Sequence, residues 1–299
     1  MNIPFLKYYK VYFIFSGILI LGSLVCLALF GLNFGIEFTG GSILEIEYKD
    51  RKPPTQEIHQ TLAPFNLKES IQSTGERGVI IRMGDITEDT KEQLLEKLKE
   101  KEEIIEGKTS FELIGPMIGQ ELKQKTKVVV ILTLLAIVLY IALAFRRIQR
   151  PVKSWQYGIA SLLALFHDVL IPIGILSLLG KFYGVQITIP VIVALLTVLG
   201  YSINDTVVVF DRIRENLLKR IGVTYQETVN QSLNQTLTRS VNTSLTTLFV
   251  LIAIFFLGGE SLKYFALTLI LGIVAGTYSS LFLASPILVS WLKWRRQQV

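Results

Sequence analysis

Two carboxylates could do chemistry because each lies inside a long apolar stretch. Asp168 follows His167 in LALFHDVLIP, and Asp205 ends the run GYSIND. A carboxylate at the centre of a membrane costs at least about 2.5–3.5 kcal/mol on insertion scales, so it normally faces a partner or a cavity. The alternatives are a buried hydrogen bond that fixes helix packing, favoured for Asp168, and a proton-carrying group, favoured for Asp205. His167 is the candidate relay partner of Asp168.

A narrow polar edge accompanies Asp205 along the same apolar stretch. Thr197, Gly200 and Asn204 recur there at helical spacing. Small and polar residues of this kind let membrane helices approach closely, so we predict helix packing at Gly200 and place Asn204 in the same pathway as Asp205. Gly272-x-x-x-Gly276, followed by Ser279 and Ser280, predicts a second close-packing face.

Arg239 is the predicted partner of Asp205. Thr224-x-x-Glu227 predicts a capping box that begins a helix just after Gly222. Apolar residues then recur every four positions, which predicts an amphipathic surface helix at about 212–240 that runs into the next apolar stretch. A polar stripe continues on one side of it: Arg239, Asn242, Thr243, Thr246 and Thr247. The alternative for Arg239 is that it only reaches lipid headgroups.

Such a pair permits proton coupling. Burial favours the neutral form of a carboxyl group, whereas an adjacent guanidinium favours the ionised form. Movement of Arg239 towards or away from Asp205 would therefore release or take up a proton. A proton that crosses the membrane potential gains roughly 2.3 kcal/mol per 100 mV, which is enough to bias a conformational equilibrium. We expect no catalytic residue, no cofactor and no metal.

The elements that position these residues are predicted to be membrane helices. The chain has 299 residues, of which 51% are hydrophobic, and a mean hydropathy of +0.49. This composition predicts a membrane protein. About 20 apolar residues cross a bilayer, and six stretches approach that length: 11–30, 128–145, 157–179, 185–210, 241–257 and 265–292. The first is expected to remain as an anchor, and Pro286 to end or bend the last.

The short loops predict the orientation. Basic residues flank the first, second, fourth and sixth stretches on one side: Lys7, Lys10, Arg146, Arg147, Arg150, Lys153, Arg212, Arg214, Lys219, Arg220, Lys293, Arg295 and Arg296. The opposite short loops hold only Lys181 and Lys263. The positive-inside rule then places both termini in the cytoplasm and the long segment after the first span outside. This distribution fits membrane topology better than nucleic-acid binding.

The long segment predicts a small α+β domain. Strands are expected at 42–48, 71–73, 78–82 and 109–114, and helices that begin after caps at Thr55 and Thr87. The order βαββαβ predicts a ferredoxin-like domain that docks or contacts a substrate rather than an enzyme. The predicted fold class is thus membrane all-α: six transmembrane helices with one extracytoplasmic ferredoxin-like α+β domain. The predicted divisions are 1–30, 31–125 and 126–299.

These residues also carry a family resemblance. The runs GYSINDTVVVFDRIREN (200–216) and QTLTRSVNTSLTTL (235–248) resemble the SecF family of the bacterial Sec protein-export machinery. NFGIEFTGG (33–41), IGPMIGQEL (114–122) and the pair His167-Asp168 support it. Glu37 departs from the aspartate that is usual in the family.

The resemblance implies a fold, partners and a function. The membrane part would be half of an RND-type transporter and would pair with SecD, which brings six more spans. Together they would associate with the SecYEG channel in the bacterial inner membrane and use proton-motive force late in the translocation of an unfolded preprotein. YajC and YidC would be further partners. Residues matching Asp205 and Arg239 would serve proton conduction.

Three other functions remain open. A proton-coupled RND-like small-molecule transporter would have to form a homodimer, because six spans are half of the usual unit. Asp168 and Asp205 on consecutive spans resemble the pair of intramembrane aspartyl proteases, but the glycines that let a substrate backbone approach are missing. A passive scaffold would tolerate Asp205→Asn.

Overall fold

The computed structural model describes residues 3–67, 69–144 and 151–297. These residues form two compact units. One comprises residues 3–32, 130–144, 151–181 and 190–297, and the other comprises 33–67, 69–129 and 182–189. Phe145, Arg146, Arg147 and Arg150, to which the sequence assigns the end of the second span and part of the basic flank, lie outside the described residues.

The helices and strands follow one another in the expected order. The helices are α1 (Tyr9–Phe30), α2 (Ile36–Thr39), α3 (Thr55–Leu62), α4 (Glu88–Lys99), α5 (Pro116–Ala144), α6 (Ser154–Tyr183), α7 (Ile189–Leu218), α8 (Tyr225–Leu257), α9 (Glu260–Ser279) and α10 (Ser285–Gln297). The strands are β1 (Gly41–Glu47), β2 (Ser70–Thr74), β3 (Gly78–Met83) and β4 (Ser110–Ile114).

Six of these helical segments are long and apolar enough to cross a membrane, as predicted. They are α1, α5, α6, α7, α8 and the continuous run from α9 into α10. Within the described residues, α6 and the α9–α10 run are buried over more than half of their apolar windows, whereas α1 and α5 are almost entirely exposed. The chain therefore presents α1 and α5 to its surroundings and builds its membrane core around α6, α7 and the last helix.

The fourth span begins later than expected. We predicted its start at Val185, but α7 begins at Ile189. Val185 and Ile187 are buried in an extended segment, where the Ile187 backbone donates to Asn33 O (2.7 Å) and accepts from Gly35 N (2.9 Å). Pro190 suits the first helical turn, where its missing N–H is not needed. Hydropathy alone could not separate this segment from the helix.

The segment predicted as one amphipathic helix over about 212–240 is divided in two. Helix α7 continues through Leu218, and α8 begins at Tyr225. The predicted capping box is confirmed, because Glu227 N donates to Thr224 Oγ1 (3.2 Å) and Glu227 Oε2 accepts from Thr224 N (3.4 Å). Gly222, at a φ of 94°, supplies the left-handed turn between the two helices.

The last span continues past Pro286, where the sequence predicted a bend or an end, and its winding changes just before that residue. A π-helical turn over Ser280–Ala284 joins α9 to α10. Pro286 has no N–H, and its ring would clash with the carbonyl four residues earlier in a regular α-helix. A wider turn relieves that clash, and the hydroxyl of Ser285 donates to Ser280 O (3.3 Å) within it.

The predicted ferredoxin-like topology is confirmed in the second unit. The strands lie in the order β2-β3-β1-β4, and every neighbouring pair is antiparallel. Alternate residues of β1 and β3 form one apolar face, against which α3 and α4 pack: Leu44, Ile46, Val79, Ile81, Ile58, Leu62, Leu94 and Leu98. Thr87 caps α4, since its hydroxyl accepts from Thr90 N (3.3 Å). The cap predicted at Thr55 is wrong, because Pro54 precedes α3 and Thr55 is its first residue.

Candidate functional site

Asp205 lies where three membrane helices meet. It is on α7 and only 9% exposed. Ser240 of α8 donates from Oγ to Asp205 Oδ1 at 2.6 Å, and Ser280 of the last helix donates to Oδ2. Both carboxyl oxygens are therefore held by hydroxyl groups, and each hydroxyl comes from a different neighbouring helix.

Arg239 does not pair with Asp205 in this structure. Its side chain is exposed, and among the described residues no hydrogen bond or ion pair joins it to an acidic group. Adjacent residues on an α-helix point about 100° apart. Ser240 therefore faces Asp205 while Arg239, its chain neighbour, faces away. The expected contact between Asp205 and Arg239 is replaced by the Ser240 hydrogen bond.

Arg239 lines a cleft of about 370 Å³ between α7 and α8. The other charged residues of the cleft are already engaged. Arg212 Nη1 donates to Glu215 Oε2 (2.5 Å), and Arg214 Nη1 lies 3.4 Å from Asp211 Oδ1. Arg239 is thus an unengaged cation, within the described part of the chain, immediately next to the residue that holds Asp205.

Asp168 and His167 form a second, fully buried cluster. Both are 0% exposed on α6, and His167 Nδ1 lies 2.8 Å from Asp168 Oδ1. Asp168 Oδ2 accepts from Ser202 Oγ of α7 (2.5 Å) and from Ser279 Oγ of α9 (2.6 Å). Tyr278 stacks on the imidazole at 5.9 Å between ring centroids. His167 Nε2 is buried without a hydrogen-bond partner in the described structure.

The two clusters have the same chemical design. Each carboxyl group is surrounded mainly by serine hydroxyls, which can donate a hydrogen bond or accept one. A hydroxyl shell can therefore serve a carboxylate as well as a protonated carboxyl group, whereas a permanently bound arginine would serve only the former. No group of three potential metal-ligating side chains occurs in the described ranges.

The glycines of the last helix bring these serines within reach. A Cβ at Gly272 would overlap with the side chain of Val198 on α7, and a Cβ at Gly276 would lie 3.1 Å from Ser202 Cβ. Gly200 behaves differently. Nothing lies within 4 Å of a Cβ built there, so the close packing predicted at Gly200 does not occur within this chain.

Exposed polar residues lie along α7 and along α8, and together they are called the exposed polar face. It comprises Thr197, Gly200 and Asn204 on α7 and Asn242, Thr243 and Thr246 on α8. The threonine hydroxyls donate to carbonyls of their own helices, such as Thr197 to Val193 O (2.8 Å) and Thr243 to Arg239 O (2.9 Å). Asn204, which we placed in the pathway, is exposed and separate from the hydroxyl shell of Asp205.

Sequence reasoning missed the serines that hold the carboxylates. It gave no role to Ser202 or Ser240 and assigned Ser279 and Ser280 only to close packing. The sequence holds only a weak signal for them, which is that each of these serines lies in an apolar helix where a hydroxyl group needs a hydrogen-bond partner. Nothing in the spacing shows which carboxylate that partner is.

Comparisons with known proteins agree on one family. Residues 91–294 match the family described as Protein export membrane protein SecD/SecF, C-terminal, and residues 27–50 match the SecD/SecF GG motif. The Protein translocase subunit SecF of Thermobaculum terrenum is 40% identical over 97% of this chain and 94% of its own length. That of Rhodothermus marinus is 39% identical over 96% and 92%.

Solved structures show the same fold. The crystal structure of SecDF, a translocon-associated membrane protein from Thermus thermophilus, matches 97% of this chain with a TM-score of 0.84 and 34% identity. SecDF in a super-membrane-facing form matches with a TM-score of 0.70 and 33% identity. The chain covers 39% and 40% of those two longer chains.

The glycine contacts generate a matched pair of predictions. Gly272→Ala should destabilise the isolated chain by about 1–3 kcal/mol, because its methyl group has to displace the branched side chain of Val198. Gly200→Ala meets open space and should be neutral or stabilising by up to about 1 kcal/mol, since alanine is the better helix former. Unfolding of both variants in mild detergent measures the difference, and equal stability would show that the close contact at Gly272 is absent.

Proposed function

We propose, since this chain belongs to the SecF family of protein translocase subunits, that it pairs with SecD and couples proton-motive force to late steps of preprotein translocation. The observation that carries the proposal is the different environment of two neighbouring residues, 239 and 240. Ser240 donates a hydrogen bond to the buried carboxyl group of Asp205, while Arg239 lines the adjacent cleft.

A proton cycle follows from two alternative partners of Asp205. In the arrangement seen here, hydroxyl groups hold the carboxyl group and no cation contacts it. In the second state, Arg239 turns from the cleft and pairs with an ionised Asp205, because a buried carboxylate is stabilised by an opposite charge within about 4–6 Å. Because Arg239 and Ser240 point about 100° apart, this change requires the arginine side chain to swing or α8 to turn. Proton uptake and release then alternate with the two states.

The cleft is the proposed route between Asp205 and water. It contains Asp211, Arg212, Arg214 and Glu215, whose ion pairs are exposed. The excess of Lys and Arg in the loops at this end of the helices supports a cytoplasmic position for the cleft and for both termini, in the bacterial inner membrane. The ferredoxin-like domain would then lie on the outer side, where it contacts the emerging preprotein or moves with the cycle.

The exposed polar face is the proposed contact with SecD. Asn204 and Asn242 are exposed, and within the described residues neither side chain makes a hydrogen bond, which is unfavourable against lipid. Gly200 leaves open space that a partner helix can fill. The solved SecDF chains are about two and a half times as long as this one, which supports a partner of comparable or larger size. SecYEG, YajC and YidC are the further proposed partners.

One prediction from the proposed function concerns the charged residues Asp205 and Arg239. Asp205→Asn and Arg239→Met should each leave co-purification with SecD intact and reduce gradient-dependent export to the level measured without a gradient, because one removes the proton site and the other its alternating partner. The measurement is preprotein export by vesicles that contain the complete translocase, ATP and an imposed proton gradient.

Matched controls separate this effect from a general loss of charge. Asp85→Asn lies in an exposed loop of the ferredoxin-like domain, and Arg220→Met lies in the exposed turn between α7 and α8. Both should export normally. Full gradient-dependent export by Asp205→Asn or Arg239→Met would refute proton coupling through this pair.

A second prediction concerns the polar face. Gly200→Leu should weaken the complex with SecD about tenfold or more, since overpacking a helix contact costs about 1–3 kcal/mol. Gly17→Leu on α1, where a Cβ also meets open space, is the control and should bind normally. Both variants should unfold like the wild type when isolated. Undiminished binding by Gly200→Leu would place the partner elsewhere, and a homodimer that Gly200→Leu breaks would favour a small-molecule transporter.

A further inference from the structure

Two consecutive serines on the last membrane helix each hold a different buried carboxyl group. Ser279 Oγ donates to Asp168 Oδ2 at 2.6 Å, and Ser280 Oγ donates to Asp205 Oδ2. Neighbouring residues on a helix point about 100° apart, so one helix can face α6 with one serine and α7 with the next. The two carboxyl groups are 37 residues apart in the chain, but the two serines that donate to them are consecutive.

Each serine also has a second acceptor in its own helix. Ser279 Oγ lies 3.2 Å from Gly276 O, and Ser280 Oγ lies 3.1 Å from Thr277 O. A serine has one hydroxyl hydrogen. It can donate that hydrogen to an ionised carboxylate, or it can turn it to the backbone carbonyl and accept a hydrogen bond from a protonated carboxyl group. Both protonation states of each aspartate are therefore satisfied by rotation of one hydroxyl.

The serine pair stands where the helix changes its winding. The π-helical turn begins at Ser280 and ends before Pro286, and Ser280 O accepts from the Ser285 hydroxyl. Short π turns are inserted into α-helices and occur frequently at functional sites. A change in the hydrogen bonding of Ser280 therefore acts at the first residue of the π turn, directly after Ser279.

The groups that face the two carboxyl groups include His167, which is a cation only when it is protonated. On the Asp168 side they are His167 and Tyr278, whose hydroxyl donates to Tyr12 O of α1 (3.1 Å). On the Asp205 side, α8 contributes the Ser240 hydroxyl, and α7 carries Tyr201, whose hydroxyl is buried. In the described part of the chain, no lysine or arginine contacts either carboxyl group.

We propose that Ser279 and Ser280 are positioning residues that couple proton binding at Asp205 to proton binding at Asp168. This deepens the proposed function and rests on its premise that Asp205 exchanges protons. Loss of charge at Asp205 turns the Ser280 hydroxyl towards Thr277 O, shifts the π turn, and strengthens the Ser279 hydrogen bond to an ionised Asp168. Asp168 then holds its proton less tightly once Asp205 is neutral.

Infrared difference titration of the full chain tests the coupling without an export assay. The carboxylic C=O band of each protonated aspartate is assigned by its loss in Asp168→Asn or Asp205→Asn. Asp205→Asn, which imitates the neutral state, should lower the proton affinity of Asp168 about fivefold, the effect expected for one typical hydrogen bond. In the Ser279→Ala/Ser280→Ala background the same substitution should change it less than about twofold.

The variants separate this coupling from other effects. Ser161→Ala removes a buried hydroxyl of α6 that has no partner among the described residues, and it should preserve the fivefold coupling. Ser280→Thr keeps the hydroxyl group and should also preserve the fivefold coupling, and it can be measured if the double variant fails to fold.

An undiminished fivefold effect in the Ala/Ala background would mean that the charges act through space and would overturn the proposal. Titration of Asp205 with no response at Asp168 would overturn it too, but would leave the proposed function standing. A band of Asp205 that never titrates would refute both.

Discussion

The structure of the membrane unit depends on placing two aspartates away from water without a fixed counter-charge. Asp205 and Asp168 are both buried, and serine hydroxyls from neighbouring helices supply most of their hydrogen bonds. A carboxyl group in such a place is strongly unfavourable unless its oxygens are engaged. The helices therefore have to approach closely enough for short side chains to bridge them. Gly272 and Gly276 allow that approach, since a methyl group at either position meets α7.

In the proposed cycle, hydroxyl groups rather than cations allow Asp205 to gain and lose a proton. An arginine bonded to Asp205 in every state would fix the charge, whereas Ser240 and Ser280 can serve either protonation state. The cation is kept one residue away, at Arg239, in a cleft beside the site. This separation links local chemistry to conformation, because a change in the partner of Asp205 requires α8 to turn or its arginine to swing.

Much of the fold could be predicted because it follows from local patterns. Six apolar stretches gave six spans, and alternation with turn residues gave the ferredoxin-like strand order. The Thr224 box was equally local. The predictions that were wrong concerned tertiary contacts or the assignment of an ambiguous stretch. Val185 and Ile187 are buried in an extended segment that pairs with residues 33–35, not in a helix. The partner of Asp205 was predicted as Arg239 from charge, although the adjacent Ser240 has the correct helical phase. Gly200 looked like a packing glycine, but the space beside it is open in this chain.

In the proposed mechanism, Asp205 exchanges its hydroxyl partners for Arg239 when it loses its proton. Solid-state NMR on the complex, with ¹³C in aspartate carboxyl groups and ¹⁵N in arginine side chains, measures the separation of these two groups directly, and subtraction of an Asp205→Asn spectrum isolates the pair. We expect no contact at a pH where Asp205 is protonated and a separation of about 4 Å, as in an ion pair, where it is ionised. A separation that stays long at every pH while Asp205 titrates would contradict it.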